Sequence, residues 1–319
     1  MRVYMPGPTQ AAFVHRLREC LDPGIELIEG PMDPWPSDIE VLVRGRPTED
    51  ELERAGPIRA LVIPYAGVPE RTLQLLSARP QVAVHNLHHN AAPTSEQALA
   101  LLLAVAKKVC PRDAALRRGD WTARYADERS LLLEGRTAVI LGSGAIGQRL
   151  DRMCQALGMA TECVGRAALI QMGKGDLRAG LHSILPRAQV LMLALPLTVE
   201  TKGLLASAEL ALLPQDAVLV NIARGPLIDP WALHDALVTG HLAGAGLDVW
   251  WNYPEDEAAR LACLPCDAPL HELDQVVMSP HLAGHTGRTE HLRAEHLAAL
   301  LLQLAQGNAP SRVDLARGY

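Results

Sequence analysis

Three apolar runs in the second half of the chain are each followed by polar side chains. AVLV leads into Asn221 and Arg224, AGAGL leads into Asp248, and QVVMSP leads into His281. If these runs are neighbouring parallel strands, the polar side chains meet at the edge where open α/β sheets bind ligands. Arginine offers a planar fork for a carboxylate, and histidine exchanges a proton near neutral pH. The pattern therefore predicts a site that binds an organic acid and moves a proton.

A glycine-rich turn earlier in the chain predicts a second component. Residues 137–147, TAVILGSGAIG, join an apolar run to three glycines, and a helix-patterned segment follows. This spacing is typical of dinucleotide binding, because the glycines permit the tight turn, a close approach to the pyrophosphate and close packing of helix on strand. The helix N-terminus would face the phosphates. Five residues of this turn are candidate cofactor contacts: Gly142, Gly144, Ala145, Ile146 and Gly147.

Together with a nicotinamide, these residues suffice to reduce a 2-keto acid. Arg224 would hold the carboxylate and polarise the ketone, the cofactor would deliver hydride, and His281 would protonate the forming alkoxide. In the oxidative direction His281 would act as the base.

The elements that must position these residues follow from strand-like runs that alternate with helix-patterned segments. Such alternation predicts βαβ units and parallel sheets. One series fills residues 1–90 and a second begins at Thr137. Between them, Pro93 and the capping-box pattern TSEQ that starts at Thr94 predict a long helix that begins there and crosses between domains. A final amphipathic helix, ending near Gly307, would return the chain to the first domain.

The expected fold is α/β, with two Rossmann-like, doubly wound parallel-sheet domains and an active-site cleft between them. The substrate-binding domain is predicted to be discontinuous, comprising residues 1–93 and 286–319. The dinucleotide-binding domain is predicted to span residues 94–285. A length of 319 residues agrees with two domains.

Composition argues against several other classes of protein. The formal charge is −6 and lysine and arginine form no long block, so neither nucleic acid nor a membrane is an expected partner. No apolar stretch is long enough to span a membrane, and the start MRVYMPGPTQ lacks a signal-like apolar core, which predicts a cytoplasmic protein. The six cysteines are expected to be reduced.

No metal site is expected at the two clusters of metal-binding residue types. Cys263 and Cys266 form CLPC without a second such pair, and we interpret them as an incidental exposed pair. His85, His88 and His89 precede a helix without a carboxylate at ligand spacing, and we interpret them as loop histidines.

Five motifs in sequence order resemble those of the D-isomer-specific 2-hydroxyacid dehydrogenases, a family that includes formate, phosphite and glyoxylate/hydroxypyruvate enzymes. They are GSGAIG, LPLTVETKGLL, VNIARGPLIDPWAL, GHLAGAGLDVW and MSPHLAGHT, and the resemblance covers nearly the whole chain. It implies that Arg224 and His281 are catalytic and that backbone amides of Ala66, Gly67 and Val68 receive the substrate carboxylate. It also implies a homodimer joined through the nucleotide domain, and a chain that ends where the core fold of the family ends.

Three further residues in these motifs are candidate cofactor contacts: Pro196, Ala223 and Asp248. Asp248 has a structural alternative, in which its carboxylate binds loop amides near the histidine.

One departure from the family concerns the partner of the histidine. Family members usually place a glutamate, followed by proline, five residues after the aspartate, where it raises the pKa of the histidine. Here that position is Tyr253, which makes Tyr253 a candidate catalytic residue. The carboxylates of residues 255–257 lie just beyond and are the alternative partners. Without a carboxylate partner, we expect a more acidic working range for reduction.

A second departure concerns the choice of cofactor. Gly165 and Arg166 stand where NAD-preferring relatives usually place an aspartate for the ribose 2′-hydroxyl. A small residue followed by arginine suits a 2′-phosphate, which favours NADP over NAD. In the competing interpretation Glu162 binds the ribose, although it falls inside the strand pattern.

The function expected from the sequence is hydride transfer between NADP(H) or NAD(H) and a small 2-keto or D-2-hydroxy acid such as glyoxylate or hydroxypyruvate. Two alternatives remain open. One is a formate- or phosphite-type dehydrogenase, and the other is a non-catalytic, nucleotide-sensing protein of corepressor type, which the missing glutamate keeps under consideration.

Overall fold

A computed structural model of the protein describes residues 1–7, 10–30, 35–126, 129–308, 310 and 312–315. The chain divides into two compact units, residues 1–90 with 285–319 and residues 91–284. Each unit is built on one sheet whose paired strands are all parallel. The predicted fold class, two α/β domains with parallel sheets, is therefore confirmed.

The first unit begins with eight elements: β1 (Arg2–Pro6), α1 (Ala11–Cys20), β2 (Glu26–Gly30), β3 (Val41–Val43), α2 (Glu49–Arg54), β4 (Ala60–Ile63), α3 (Glu70–Ser77) and β5 (Ala83–Asn86). The strands form one sheet in the order β2-β1-β3-β4-β5. Sequence patterns predicted neither β2 nor α2. The edge strand β2, ELIEG, is only partly buried, so it needs no continuous apolar run.

The described part of the second unit contains fourteen α-helices and β-strands: α4 (Ala91–Ala106), α5 (Val109–Arg117), α6 (Thr122–Tyr125), β6 (Thr137–Leu141), α7 (Ala145–Ala156), β7 (Ala160–Val164), α8 (Arg166–Met172), α9 (Leu177–Ile184), β8 (Val190–Leu193), α10 (Ser207–Ala211), β9 (Ala217–Asn221), α11 (Pro230–Val238), β10 (Leu242–Leu247) and β11 (Val276–Met278). The chain then returns to the first unit, where the last described helix, α12 (Thr289–Ala305), packs on α1.

The sheet of the second unit has the order β11-β10-β9-β8-β6-β7. Strand β6 lies between β7 and β8, so the direction of winding reverses beside it. Such a switch point leaves a crevice at the carboxyl ends of the strands, where ligands of doubly wound folds bind. The glycine-rich turn after β6 stands at this point.

Both faces of this sheet are buried, because alternate strand residues enter different apolar clusters. Val139 and Leu191 belong to one cluster, and Ile140 and Met192 to the other. Burial on both sides explains why the strands are near-continuous apolar runs rather than alternating ones. It also leaves the strand ends as the place where polar groups reach solvent.

Helix α4 begins three residues earlier than the capping-box prediction, which was wrong. The helix starts at Ala91, and Thr94 and Ser95 are buried inside it. The Ser95 hydroxyl donates to the Ala91 carbonyl at 2.6 Å instead of capping the helix. Pro93 is tolerated because amide groups in a first helical turn have no intrahelical acceptor.

Helix α12 completes the core of the first unit. Leu297 and Leu301 are fully buried in one cluster with Phe13 and Leu17 of α1. An ion pair at the edge of this packing joins Arg16 Nη2 to Glu295 Oε1 at 2.6 Å. The two ends of the chain thus build one core together.

Two interpretations of metal-binding residue types need correction. Cys266 is buried at 2% exposure, so CLPC is not an exposed pair. His85 lies within β5, is fully buried and is not a loop histidine; its Nδ1 contacts the Pro310 carbonyl at 2.7 Å. Within the described ranges, no group of three or more His, Cys, Asp and Glu residues is arranged to hold a metal ion.

None of the described helices combines the length and the apolar character needed to cross a membrane.

Candidate active site

Arg224 lies just after β9, in a turn that a buried asparagine braces. The Asn221 side-chain nitrogen donates to the Arg224 carbonyl at 2.9 Å, and its oxygen accepts from the Ala223 amide at 3.0 Å. Asn221 is fully buried, whereas Arg224 is partly exposed. Nη1 of Arg224 donates to the Ala223 carbonyl at 2.6 Å, which uses one of the five guanidinium N–H donors. The turn thus fixes the arginine and leaves donors suited to a carboxylate.

The loop after β10 packs directly against this turn. A Cβ at Gly225 would overlap the carbonyl group of Trp250, so glycine is required there. Trp250 is buried, and its indole N–H donates to the Ser279 carbonyl at 2.9 Å. Trp250 therefore connects the turn that carries Arg224 to the segment that carries His281.

Asp248 is the support of the histidine segment. It is fully buried at the end of β10, and its carboxylate accepts from the amides of Leu282 at 3.0 Å and Ala283 at 2.9 Å. His281 itself has φ 58°, a left-handed conformation that is rare outside glycine. Because Asp248 binds the two amides that follow His281, it stabilises this conformation. The structure therefore contains the alternative in which the Asp248 carboxylate binds loop amides near the histidine. Contact of Asp248 with the cofactor stays a prediction.

Tyr253 contacts His281. The sequence had left the partner of this histidine open between Tyr253 and the carboxylates of residues 255–257. The Tyr253 hydroxyl lies 2.9 Å from His281 Nδ1, and it accepts from the Trp250 amide at 3.2 Å. Burial raises the pKa of Tyr253 above its usual value, more than the Trp250 amide and Arg224 lower it. The tyrosine is therefore neutral over the whole range in which a histidine titrates.

The alternative carboxylate partners lie elsewhere. All three residues from Glu255 to Glu257 are exposed. Asp256 accepts from the Ala259 amide at 2.8 Å, and Glu257 pairs with Arg260 at 3.0 Å. The register set by Pro254 thus presents the tyrosine hydroxyl, and not a carboxylate, to Nδ1.

The glycine-rich turn has the geometry that a dinucleotide requires. Gly142 has φ 119°, and a Cβ there would overlap the Ala194 carbonyl. A Cβ at Gly147 would overlap the Gly142 carbonyl, so α7 packs closely on the turn. Gly144 is the N-cap of α7 and faces open space, with no atom within 4 Å of a Cβ placed there. The first amides of α7, beginning with Ala145 and Ile146, have no side-chain cap and suit a phosphate.

The residues proposed to select the cofactor lie beside this turn. Gly165 follows β7, and a Cβ there would overlap the Ser143 hydroxyl. Arg166 begins α8 and pairs with Glu200, a residue that the sequence analysis did not single out. Glu162 lies within β7 and is bound by Arg187, which holds the pKa of that carboxyl below its usual value. Glu162 therefore pairs with Arg187, whereas the competing interpretation assigned it to the ribose.

Two other candidate cofactor contacts help to order their own loops. The Pro196 carbonyl accepts from the Thr201 hydroxyl at 2.7 Å, within the loop that carries Glu200. Ala223 is buried at 7% exposure and contributes its amide to Asn221.

The proposed carboxylate-binding segment belongs to the first unit. Ala66, Gly67 and Val68 are partly exposed and lie between β4 and α3. The side chain of Asn86, at the end of β5, donates to the Ala66 carbonyl at 2.6 Å and anchors the segment. Carboxylate binding by the amides of this segment stays a prediction.

Comparison with known proteins decides the family. The family model described as "D-isomer specific 2-hydroxyacid dehydrogenase, NAD binding domain" matches residues 99–283. The chain belongs to the D-isomer-specific 2-hydroxyacid dehydrogenase family. The resemblance noted from five motifs is thereby confirmed.

Curated relatives fall within the same family. D-3-phosphoglycerate dehydrogenase of Mycobacterium bovis is 32% identical over 286 residues, covering 87% of this chain and 51% of that protein. Glyoxylate reductase of Korarchaeum cryptofilum is 28% identical over 308 residues, covering 95% of this chain and 85% of that protein. The chain thus spans about half the length of the phosphoglycerate dehydrogenases that it matches.

Solved structures share the fold. A D-isomer specific 2-hydroxyacid dehydrogenase from Xanthobacter autotrophicus, solved in complex with NADPH and MES, superposes with a TM-score of 0.77 at 22% identity, covering 100% of this chain and 99% of that one. The match extends over both parallel-sheet units of this family member.

Proposed function

We propose that this family member is an NADP(H)- or NAD(H)-dependent D-2-hydroxyacid dehydrogenase that reduces a small 2-keto acid such as glyoxylate or hydroxypyruvate. The observation that carries the proposal is the contact of Tyr253 with Nδ1 of His281, in a network that also fixes Arg224. This network orients a proton-transferring imidazole and a carboxylate-binding guanidinium on adjoining loops of one sheet. The name of the glyoxylate reductase relative, 28% identical over nearly the whole chain, supports the choice of acid.

The second unit contains the residues that would hold the cofactor. Gly142, Gly144 and Gly147 shape the turn, and the N-terminus of α7 offers its amides to the pyrophosphate. When bound, the nicotinamide gives or takes the hydride. Arg166 beside the turn supports NADP(H) as the preferred form, because its guanidinium suits a 2′-phosphate.

The protein side chains supply the remaining chemistry. Arg224 binds the substrate carboxylate and stabilises negative charge that develops on the ketone oxygen. His281 transfers the proton through Nε2, since Nδ1 is occupied by Tyr253.

Tyr253 would serve His281 in both protonation states. Its hydroxyl can donate to Nδ1 of the neutral ring and can accept from Nδ1–H of the charged ring. A carboxylate can only accept, so it favours the charged ring. The tyrosine thus keeps the imidazole oriented in either direction of the reaction without holding a proton on it.

The test follows absorbance of NADPH and NADH with glyoxylate, hydroxypyruvate and pyruvate. D-3-phosphoglycerate, formate and phosphite are assayed in the oxidative direction. We expect turnover of a 2-keto acid, and a loss of roughly 100-fold or more in kcat/KM for both Arg224→Ala and His281→Ala. Arg260→Ala and His15→Ala remove exposed side chains of the same types, at 66% and 78% exposure, and should leave kcat/KM unchanged.

Other outcomes would contradict this proposal. Turnover of formate or phosphite alone would identify the alternative dehydrogenase. Tight nucleotide binding without turnover of any acid would identify a nucleotide-sensing protein of corepressor type.

The cytoplasmic location expected from the sequence stays a prediction.

A further inference from the structure

Arg166 does not stand open at the end of β7, because Glu200 binds it. Arg166 Nε and Nη2 each lie 2.6 Å from a different oxygen of Glu200. This is the two-pronged geometry by which a guanidinium binds a carboxylate or a phosphate. The Arg166 side chain is 24% exposed and that of Glu200 is 53% exposed, so the pair is open to solvent and to a ligand.

Glu200 comes from a loop with a defined conformation rather than from a neighbouring turn of the same helix. It lies 34 residues after Arg166, between β8 and α10. The Thr201 hydroxyl beside it donates to the Pro196 carbonyl at 2.7 Å, and the Thr198 amide donates to the Thr201 hydroxyl at 2.8 Å. These bonds fix the backbone on both sides of Glu200 and keep its carboxylate near the carboxyl end of the sheet.

The pair stands where the adenosine ribose of a dinucleotide is expected. Gly165, next to Arg166, packs against Ser143 of the glycine-rich turn. In doubly wound folds, the residues after the second strand contact the ribose of the nucleotide whose pyrophosphate lies on that turn. The inference therefore rests on the proposed function, which places a dinucleotide there.

Two anions cannot share this guanidinium without cost. A 2′-phosphate that binds Arg166 must displace the Glu200 carboxylate or lie beside it, and like charges so close repel. Glu200 instead favours an unphosphorylated ribose, because the ribose hydroxyls can donate to a carboxylate. Glu162, the other carboxylate considered for this role, is bound by Arg187.

We infer that Glu200 is a specificity-determining residue that competes with the 2′-phosphate for Arg166 and thereby limits the preference for NADP(H) over NAD(H). Arg166 attracts the phosphate, and Glu200 opposes it. The two residues together set the ratio of the affinities for the two cofactors.

The experiment uses the full-length protein and measures binding without turnover. Isothermal titration calorimetry gives the Kd of 2′,5′-ADP, which carries the distinguishing phosphate, and of 5′-ADP, which lacks it. In Glu200→Gln we expect 2′,5′-ADP to bind about fivefold or more tightly, because the competing charge is gone, with 5′-ADP equal or weaker. Arg166→Gln should weaken 2′,5′-ADP, and adding Glu200→Gln to Arg166→Gln should no longer tighten it.

Glu26→Gln is the matched control. Glu26 pairs with Arg2 on the first unit, at 3.0 Å between Nε and Oε2, so the variant removes one charge from a similar exposed pair. It should leave both Kd values unchanged.

The outcomes separate this inference from the proposed function. If the wild-type protein binds neither nucleotide, the proposed function fails and the inference fails with it. If the wild-type protein binds both and Glu200→Gln leaves the ratio of the Kd values unchanged, only the inference is wrong. An equal effect of Glu26→Gln would also overturn it, because general charge would then explain the change.

Discussion

At the scale of single residues, Tyr253 distinguishes this chain from the glutamate-containing pattern of its family. The hydroxyl occupies Nδ1 of His281, and its raised pKa keeps it neutral. Reduction needs a protonated donor, so its rate is high below the kinetic pKa of the histidine and falls as pH rises through it. A neutral partner gives the imidazolium no charge stabilisation. The falling limb should therefore lie at a lower pH than in a variant that places a carboxylate at this position.

Substitution of Tyr253 tests this account through the pH dependence of kcat/KM for reduction. Tyr253→Glu should move the falling limb upward by about one pH unit, because a nearby carboxylate stabilises the imidazolium. Tyr253→Phe should lower the rate without an upward move. Glu255→Gln is the control: if it shifts the limb downward, or if the wild-type limb lies well above 7, a carboxylate and not Tyr253 governs the histidine.

Residue types and spacing predicted some members of the candidate site better than others. Arg224, Asp248 and His281 follow apolar runs, so strand ends could be recognised from the sequence. The pairing of Arg166 with Glu200 could not, because the contact joins loops 34 residues apart and has no local periodicity. The motif LPLTVETKGLL contained Glu200, but nothing in its spacing indicated which way the carboxylate faces.

At the scale of elements, strong apolar strands were predictable and polar or short elements were not. The four central strands of the second sheet, β6, β8, β9 and β10, coincide with apolar runs, because both faces are buried. The edge strand β2, which has only two apolar side chains beyond its glycine, and the short helix α2, which is mostly polar, were missed. The start of α4 was misplaced because TSEQ satisfies a local capping rule, whereas Thr94 and Ser95 lie buried inside a helix that begins at Ala91.

The packing of α12 on α1 gives a prediction at this scale. Leu301 is fully buried between these helices, so Leu301→Ala should lower the free energy of unfolding by about 2–5 kcal/mol. Leu292→Ala, in the same helix but only partly buried, should lower it by less than about half as much. Urea unfolding, followed by circular dichroism, measures both. Equal losses for the two variants would contradict the packing described for α12.

At the scale of the whole molecule, the two-sheet architecture was predictable because two alternating series are separated by one long helix. The oligomeric state was expected only from the family. We propose a homodimer formed through the second unit, where α5 and α6 bury no residue. Large apolar side chains are exposed on and around these helices: Val109, Leu116, Trp121, Tyr125 and Leu132. A monomer rarely leaves such a group of apolar side chains in water.

Light scattering coupled to size-exclusion chromatography measures the mass of the assembly. We expect about twice the chain mass of 34.5 kDa for the wild-type protein, and a shift toward 34.5 kDa for the double variant Trp121→Glu, Tyr125→Glu. The control is Val199→Glu, which replaces an apolar residue elsewhere on the second unit that is 98% exposed. This variant should leave the mass unchanged. A wild-type protein of single-chain mass at micromolar concentration would contradict the dimer.

The shared core of the two chain ends has a consequence for synthesis on the ribosome. Residues 91–284 contain every strand of the second sheet, so this unit has all of its parts before α12 is translated. The first unit lacks Leu297 and Leu301 until α12, which follows every strand of the second sheet, has been translated. The order of completion is therefore the reverse of the order of translation. A chain that ends at residue 288 and has been released from the ribosome should hold a protease-resistant second unit, while residues 1–90 are still open to cleavage.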